Sequence, residues 1–383
     1  MIQPKHVLIY CPVFLPQQSG YVHAFIQLIQ TLLNQHIHVD VVTPQPLAQH
    51  EEEPFSHPLL RVFRYHPMLN IWGIGLFYHF GKLAGRINAM NSTCNYDMIL
   101  IETGDAPLLV ASLNQLVLQK MAVRFHSTSD TEYLLYGRHK KYRLRRFFWK
   151  YLAAGHIKHL VATNTYHLKF AHQQVLQHSR LKSATVVTNI IHVPTNQVNT
   201  SSQPINFFML GRMDEEGYKQ KGFKQLLEAL PLVAETMMRK KASLTIVGNG
   251  LMHESFVRET KPYPFIQVIK ELSHQEILHA LDQADVVLLP SLYEGVSMFA
   301  LEALSRGNAV VFTNTGGLVS MVNGNGLLIE PGSAEALARA IIQLLEKENL
   351  MEFKQRSIQI ATEQYNSLVQ FQQFLAVYQA IKQ

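Results

Sequence analysis

The residues best placed to do chemistry lie in one stretch, Pro290-Ser291-Leu292-Tyr293-Glu294-Gly295-Val296-Ser297-Met298-Phe299-Ala300-Leu301-Glu302-Ala303-Leu304. The run before it, Asp285-Val286-Val287-Leu288-Leu289, reads as a buried strand, and the segment from Ser297 onward reads as an apolar helix. Glu294 falls on the strand-to-helix loop. Glu302, eight positions later, falls about two turns into the helix. Between them, Ser297, Met298 and Phe299 open the helix, where the first N–H groups lack intrahelical acceptors and the positive end of the dipole lies. Such an end suits a phosphate. An anion cradle flanked by two carboxylates that accept hydroxyl hydrogen bonds fits a nucleotide-sugar. The competing reading is a loop glutamate and a solvated helix glutamate with no ligand.

Two cations add to the first reading. Gly211-Arg212 follows the apolar run Asn206-Phe207-Phe208-Met209-Leu210, and Lys221-Gly222 comes soon after. Arginine offers a bidentate fork and lysine a mobile point charge, and both can neutralise a diphosphate as a sugar–phosphate bond breaks. As plain surface cations they would do little. Gly20, in Pro16-Gln17-Gln18-Ser19-Gly20 after the first strand run, would let backbone approach a phosphate or an acceptor; as a turn glycine it would look the same.

Pro-Ser-x-x-Glu-Gly followed, seven residues on, by Glu-Ala resembles the signature of the retaining glycosyltransferases of family 4, which have the GT-B fold. Gly211-Arg212, Lys221-Gly222, Ile246-Val247-Gly248-Asn249-Gly250 and Gly316-Gly317 occur in the order that family has. The resemblance is specific over 205–318 and loose over 1–190. Three departures stand out. The first loop has Ser19-Gly20 rather than paired glycines, Val296-Ser297 replaces the usual Phe-Gly, and extra residues between Arg212 and Lys221 make Lys219 a rival to Lys221.

The resemblance implies catalytic roles for Glu294, His126, Arg212 and Lys221. It implies a donor site from Gly20, Gly211, Arg212, Lys221, Gly248, Glu294, Ser297, Met298, Phe299 and Glu302. Glu302 would bind ribose hydroxyls, while Glu294 and His126, at the end of Ala122-Val123-Arg124-Phe125, would contact the donor sugar. Glu294 is not expected to be a nucleophile, since in the family the leaving phosphate is thought to take the acceptor's proton. No cofactor and no metal are expected. The seven aspartates, at 40, 97, 105, 130, 214, 282 and 285, include no Asp-x-Asp pair, and no Cys/His cluster has zinc-ligand spacing.

To position these groups, short apolar runs alternate with helical patterns. Strands are expected at 6–10, 38–43, 97–102, 121–126, 158–163 and 184–188, then at 205–210, 243–247, 265–269, 285–289, 309–313 and 326–329. Helices such as Val22 to Asn34 and Phe223 to Thr236 lie between them. This predicts an α/β protein of the GT-B type, with two Rossmann-like doubly wound parallel sheets facing a cleft and ligand loops at the strands' C-terminal ends. The polar stretch Pro194 to Pro204 reads as the linker between an acceptor-side domain, 1–195, and a nucleotide-sugar domain, 204–365. A final helix, 366–383, is expected to cross back onto the first. It carries Leu368, Phe371, Phe374, Leu375, Val377, Tyr378 and Ile381 as its apolar residues.

At 383 residues and 47% hydrophobic, the chain is globular rather than disordered. It has two cysteines, no long apolar run and no leader-like start, which predicts a cytoplasmic protein. Residues 1–200 carry 18 lysines and arginines against 9 acids, whereas 201–383 carry 16 against 19. The basic half suits an anionic partner. Arg138 to Leu152 is its most basic segment; Leu144, Phe147, Phe148, Tyr151 and Leu152 form an expected core-facing stripe, with Tyr142 and Trp149 on another side among the cations. It reads equally as an interfacial helix on an anionic membrane and as a solvated face of a packed helix. The apolar run Met68 to Tyr78 reads either as a membrane- or acceptor-touching surface or as a buried helix.

The expected function is metal-independent, retaining transfer of a hexose-type sugar from a nucleoside diphosphate. The acceptor would be a lipid-linked or surface-glycan intermediate at the cytoplasmic membrane face. The alternatives are a soluble transferase acting on a small molecule or protein, and a non-catalytic nucleotide-sugar-binding protein. No nucleic-acid motif is present, so no nucleic-acid partner is expected.

Overall fold

The computed structural model describes residues 2–17, 19–44, 46–47, 52–65, 74–102, 107–126, 137, 139–175, 181–194, 204–347 and 350–383. The chain divides into two compact units, Met1–Ile190 with Ser367–Gln383, and Ile191–Asn366. The middle of the expected linker, the apolar stretch 68–73 and Ser127–Asp130 lie outside the described residues.

Unit 1 is built on a seven-stranded sheet: β1 (His6–Tyr10), β2 (His38–Thr43), β3 (Leu60–Arg64), β4 (Met98–Glu102), β5 (Met121–Phe125), β6 (His159–Ala162) and β7 (Ser183–Val186). Their order is β3-β2-β1-β4-β5-β6-β7, and each pair is parallel. Unit 2 repeats the plan with β8 (Asn206–Leu210), β9 (Ser243–Val247), β10 (Ile266–Ile269), β11 (Val286–Leu289), β12 (Ala309–Thr313) and β13 (Gly326–Ile329). The order there is β10-β9-β8-β11-β12-β13, again parallel throughout. Strand order reverses between β1 and β4 and again between β8 and β11. In sheets of this kind ligands bind at such switch points, beyond the strands' carboxyl ends.

The central strands are apolar on both faces. Val7 to Ile9 and Val286 to Leu289 are fully buried, as a sheet with helices on each side requires. In unit 2, Phe223, Leu226, Leu230, Val233 and Met237 of helix Phe223–Arg239 share one core with Leu337, Ile341 and Leu344 of helix Ala334–Glu346. Each such side chain contributes about 1.5–3 kcal/mol when fully buried.

The sequence reading missed β3. It is an edge strand in which Arg61 and Arg64 break the apolar run, and both are satisfied by carboxylates. Arg61 forks onto buried Asp40 at 2.8 and 2.6 Å, and Arg64 forks onto Glu53 at 3.0 and 2.6 Å. The last helix, Ser367–Lys382, packs into unit 1, where Phe371, Phe374, Leu375, Val377 and Tyr378 join Val7, Ile9 and Met98. Its buried Gln370 accepts the Thr188 N–H at 2.8 Å. Leu368, another of its apolar residues, is exposed.

The basic helix, His139–Phe148 running into a π-turn at Trp149–Ala153, overturns the expected orientation. Leu144, Phe147 and Tyr151 are 57%, 52% and 63% exposed, whereas Trp149 is 1% exposed. Trp149 packs on Phe125 at 5.3 Å between ring centres, and Ala153 and Ala154 fill the core beside it. One large aromatic followed by two small residues lets the helix approach β5 closely. The longer apolar stripe is left facing outward.

Candidate functional site

In unit 2 the switch-point loops after β8 and β11 meet through side chains. Lys221 Nζ donates to Glu294 Oε1, which also accepts the Ser291 hydroxyl at 3.0 Å. The Glu294 side chain is 8% exposed and Lys221 18%, so the pair is largely screened from water. Lys221 reaches it by way of a short helix, Glu215–Gln220, which occupies the extra residues after Arg212. Asp214 caps that helix by accepting the Gly217 N–H at 2.8 Å. Gln220 then clamps the β11 loop, donating from Nε2 to Tyr293 O at 3.1 Å and accepting the Leu292 N–H at 2.7 Å.

Gly222 explains why lysine is followed by glycine. It sits at φ 77°, and a Cβ there would overlap the Pro290 carbonyl oxygen. Gly316, at φ 52°, passes equally close to the Glu294 carbonyl oxygen, and Gly317 donates to that oxygen at 3.1 Å. The loop that carries Glu294 is thus held from two sides by glycine turns.

Between the rival lysines, the structure brings Lys221 to Glu294, whereas Lys219 is an exposed residue of the short helix. Arg212, just past β8, is exposed and pairs with Asp214 at 3.0 Å. Gly211 donates to Val247 O at 3.0 Å. Gly248 directly follows β9, and its carbonyl lies 2.7 Å from His253 Nδ1; a carbonyl only accepts, so that nitrogen carries the proton. Helix Met298–Ser305 begins beyond the Glu294 loop, with Ser297 as N-cap accepting the Ala300 N–H at 3.3 Å. Met298 and Phe299 therefore present the first-turn N–H groups.

Glu302 is buried and its Oε1 lies 2.9 Å from His274 Nε2. Burial raises its carboxyl above the ordinary glutamate value, against the lowering effects of His274 and Arg306.

In unit 1, Gly20 opens helix Gly20–Asn34 and is exposed. Ser19, standing where paired glycines were expected, is the N-cap and accepts the Val22 N–H at 3.3 Å. His126 directly follows β5, edge-on to the Tyr21 ring at 4.6 Å and 78°. Its Nδ1 is buried with no hydrogen-bond partner among the described residues. Burial, then the charge of Arg124 and the neighbouring His167, pushes its imidazole well below the usual range, so it is neutral at neutral pH. Under it Arg124 and Glu102, both fully buried, pair at 2.7 Å. Burial raises the Glu102 carboxyl, with Arg124 opposing.

Unit 2 thus brings Lys221 and Glu294 into contact at the β8/β11 switch point, with Gly211 against the Lys221 side chain and Gly248 against Gly211. Arg212 pairs with Asp214, Ser297, Met298 and Phe299 open the helix after β11, and Glu302 meets His274; Gly20 and His126 belong to unit 1. Sequence reasoning missed Ser291, His274, Tyr21 and the Glu102–Arg124 pair. A signal existed for the last: each charge sits at or near the end of an otherwise apolar strand, MILIE and MAVRF.

Residues 204–347 match the family described as Glycosyl transferases group 1. Over 148 residues, 37% of this chain, it is 30% identical to glycogen synthase of Mycobacterium tuberculosis. That match covers 34% of the relative, so the chain spans about a third of its length. The sucrose-phosphate synthase structure from Thermosynechococcus elongatus superposes with a TM-score of 0.78 at 18% identity, covering 99% of each chain. The Anabaena HepE structure, in complex with UDP and glucose, superposes at 0.67 and 16% identity, covering 98% of this chain and 100% of that one. The fold is GT-B.

Proposed function

We propose, for a GT-B chain whose residues 204–347 match the glycosyl transferases group 1 family, that it transfers a sugar from a nucleoside diphosphate with retention of configuration and without a metal. The observation that carries this reading is the Lys221–Glu294 pair at the β8/β11 switch point, beside Arg212 and the helix end at Met298.

In this reading the diphosphate lies against Arg212, Lys221 and the N–H groups of Met298 and Phe299. These charges and dipoles are preorganised where negative charge develops as the sugar's C1–O bond to phosphate breaks. The new C1–O bond to the acceptor forms on the same face, and the acceptor's hydroxyl proton passes to the leaving phosphate oxygen. Glu302 accepts from the ribose hydroxyls and Glu294 from the sugar's. Lys221 and Ser291 engage Oε1 of Glu294, which leaves Oε2 to accept from the sugar. His126 would contact the donor sugar, and its buried Nδ1 has no hydrogen-bond partner among the described residues.

The acceptor is a lipid-linked or surface-glycan intermediate at the cytoplasmic face of a membrane. Supporting this, Leu144, Phe147 and Tyr151 are exposed beside exposed Lys140, Arg143 and Lys150. No aspartate or glutamate occurs anywhere between Glu132 and Asp214. Apolar side chains among exposed cations match an anionic lipid surface, each cation contributing about 1 kcal/mol near it. No described helix is long and apolar enough to cross a membrane.

The test is a thermal-shift screen of nucleoside diphosphate sugars, followed by turnover of any binder with lipid-linked acceptors in EDTA. A donor at 100 times its Kd should add about 2.7 kcal/mol of stability. Absence of any stabilising donor would refute the reading; activity lost in EDTA and restored by manganese or magnesium would refute its metal-free form.

A further inference from the structure

We infer that His274 is a positioning residue for the donor's ribose, acting through Glu302; this rests on the reading of Glu302 given above. His274 is the first residue of helix His274–Gln283. A complete capping box fixes the start of that helix. Ser273 N–H donates to Glu276 Oε2 at 2.7 Å, and Glu276 N–H donates to Ser273 Oγ at 3.3 Å. From this anchored position His274 Nε2 donates to Glu302 Oε1 at 2.9 Å. Glu302 projects from the neighbouring helix, Met298–Ser305. A second tie joins the same stretch of chain: Arg306, just past the end of the Glu302 helix, grips both oxygens of Asp282 at 2.9 and 3.0 Å. The two helices are therefore tied twice, once through the Glu302 carboxylate itself and once through Arg306 and Asp282.

The chemistry follows from the hydrogen-bond inventory. A glutamate acting on a ribose diol accepts from hydroxyl groups and must present its oxygens in a fixed plane. Burial restricts solvent from holding Glu302 in place, and the residue's own helix fixes only its backbone. His274 supplies the missing constraint. Its Nε2–H, present in either the matching neutral tautomer or the imidazolium, occupies Oε1 and leaves Oε2 to accept from the sugar. The sequence gives no hint of this, since His274 is one of 19 histidines and lies 28 positions from its partner.

The experiment measures Kd by calorimetry for UDP, GDP and ADP, and for the 2′,3′-dideoxy counterpart of whichever binds. The unaltered protein, His274→Ala, His274→Gln and Glu302→Ala are compared. For the ribose ligand, His274→Ala should weaken binding about tenfold, the scale of one hydrogen bond to a charged group. His274→Gln, whose amide can still donate, should recover most of that. For the dideoxy ligand, His274→Ala should bind as the unaltered protein does, because the hydroxyls that Glu302 serves are gone. A merely structural role would weaken both ligands equally, and that result overturns the inference. It also falls if Glu302→Ala discriminates ribose from dideoxyribose while His274→Ala does not. If the unaltered protein binds none of the three diphosphates, the donor reading is refuted and this inference with it.

Discussion

Replacing Lys221 by alanine tests the site most directly, because the structure separates two consequences. In the free protein the change removes the cation from Glu294, whose side chain is 8% exposed, and leaves only the Ser291 hydroxyl on Oε1 at 3.0 Å. Breaking a fully buried ion pair costs about 3–5 kcal/mol. Lys221 keeps part of its surface in water, so the expected loss of stability is smaller, about 1–3 kcal/mol. With donor bound, the same change removes a preorganised charge from the breaking sugar–phosphate bond. Loss of one such group costs about 10²–10³ in kcat, or about 2.7–4 kcal/mol of transition-state stabilisation. Stability is read from a denaturant titration and turnover from release of nucleoside diphosphate, at a temperature where the variant remains folded. Lys221→Arg should keep the charge and recover part of the turnover. Lys219→Ala, two residues away on the exposed face of the short helix, should stay within about threefold of the unaltered protein, as surface substitutions do. If Lys219→Ala were the crippling change, or if folded Lys221→Ala kept turnover within tenfold, the assignment of the diphosphate clamp would be wrong.

Other outcomes follow from single observations. Arg212→Ala should lose turnover on the same 10²–10³ scale, yet with little change in stability, because its partner Asp214 is itself partly exposed; a Tm shift as large as that of Lys221→Ala would contradict the geometry. Burial raises the Glu302 carboxyl, so the folded protein holds that proton more tightly than the unfolded chain. Its stabilising contribution is present below the ordinary glutamate value and is lost as pH rises through the raised one, whereas donor binding needs the ionised form and weakens as pH falls through the same point. Glu302→Gln should therefore raise Tm at pH 8 while weakening donor affinity; a lowered Tm there would contradict this. Gly222→Ala forces a left-handed residue against the Pro290 carbonyl and should cost at least ~1–2 kcal/mol, read from chemical denaturation. Leu144→Ser, Phe147→Ser and Tyr151→Ser together should release the protein from anionic vesicles without altering donor binding; retention on the vesicles would return that face to a non-membrane role.

The fold and the site were legible in the sequence to different depths, for physical reasons. Twelve of the thirteen strands could be read because each is a short, mostly apolar or β-branched run; β3, an edge strand, could not, because Arg61 and Arg64 interrupt its apolar residues. Glu294 and Glu302 could be read because the strand, loop and helix that carry them are contiguous in the chain, so spacing alone fixes where each falls. Their partners could not: Lys221 lies 73 positions from Glu294 and His274 lies 28 from Glu302, and only the strand order β8-β11 closes the first distance. The orientation of the basic helix was illegible for a further reason. Periodicity shows that a helix has an apolar stripe but carries no information on whether the core or another phase receives it. Here the core took Trp149, Ala153 and Ala154, a narrower set that packs more closely against Phe125. Leu144, Phe147 and Tyr151 were left outside, beside Arg143 and Lys150, where a soluble partnerless surface would gain nothing from them. Burying the longer stripe instead would have exposed the indole and moved the cations' apolar companions away from them. The arrangement that emerges sets aromatic and aliphatic side chains among cations on the exposed face of this helix.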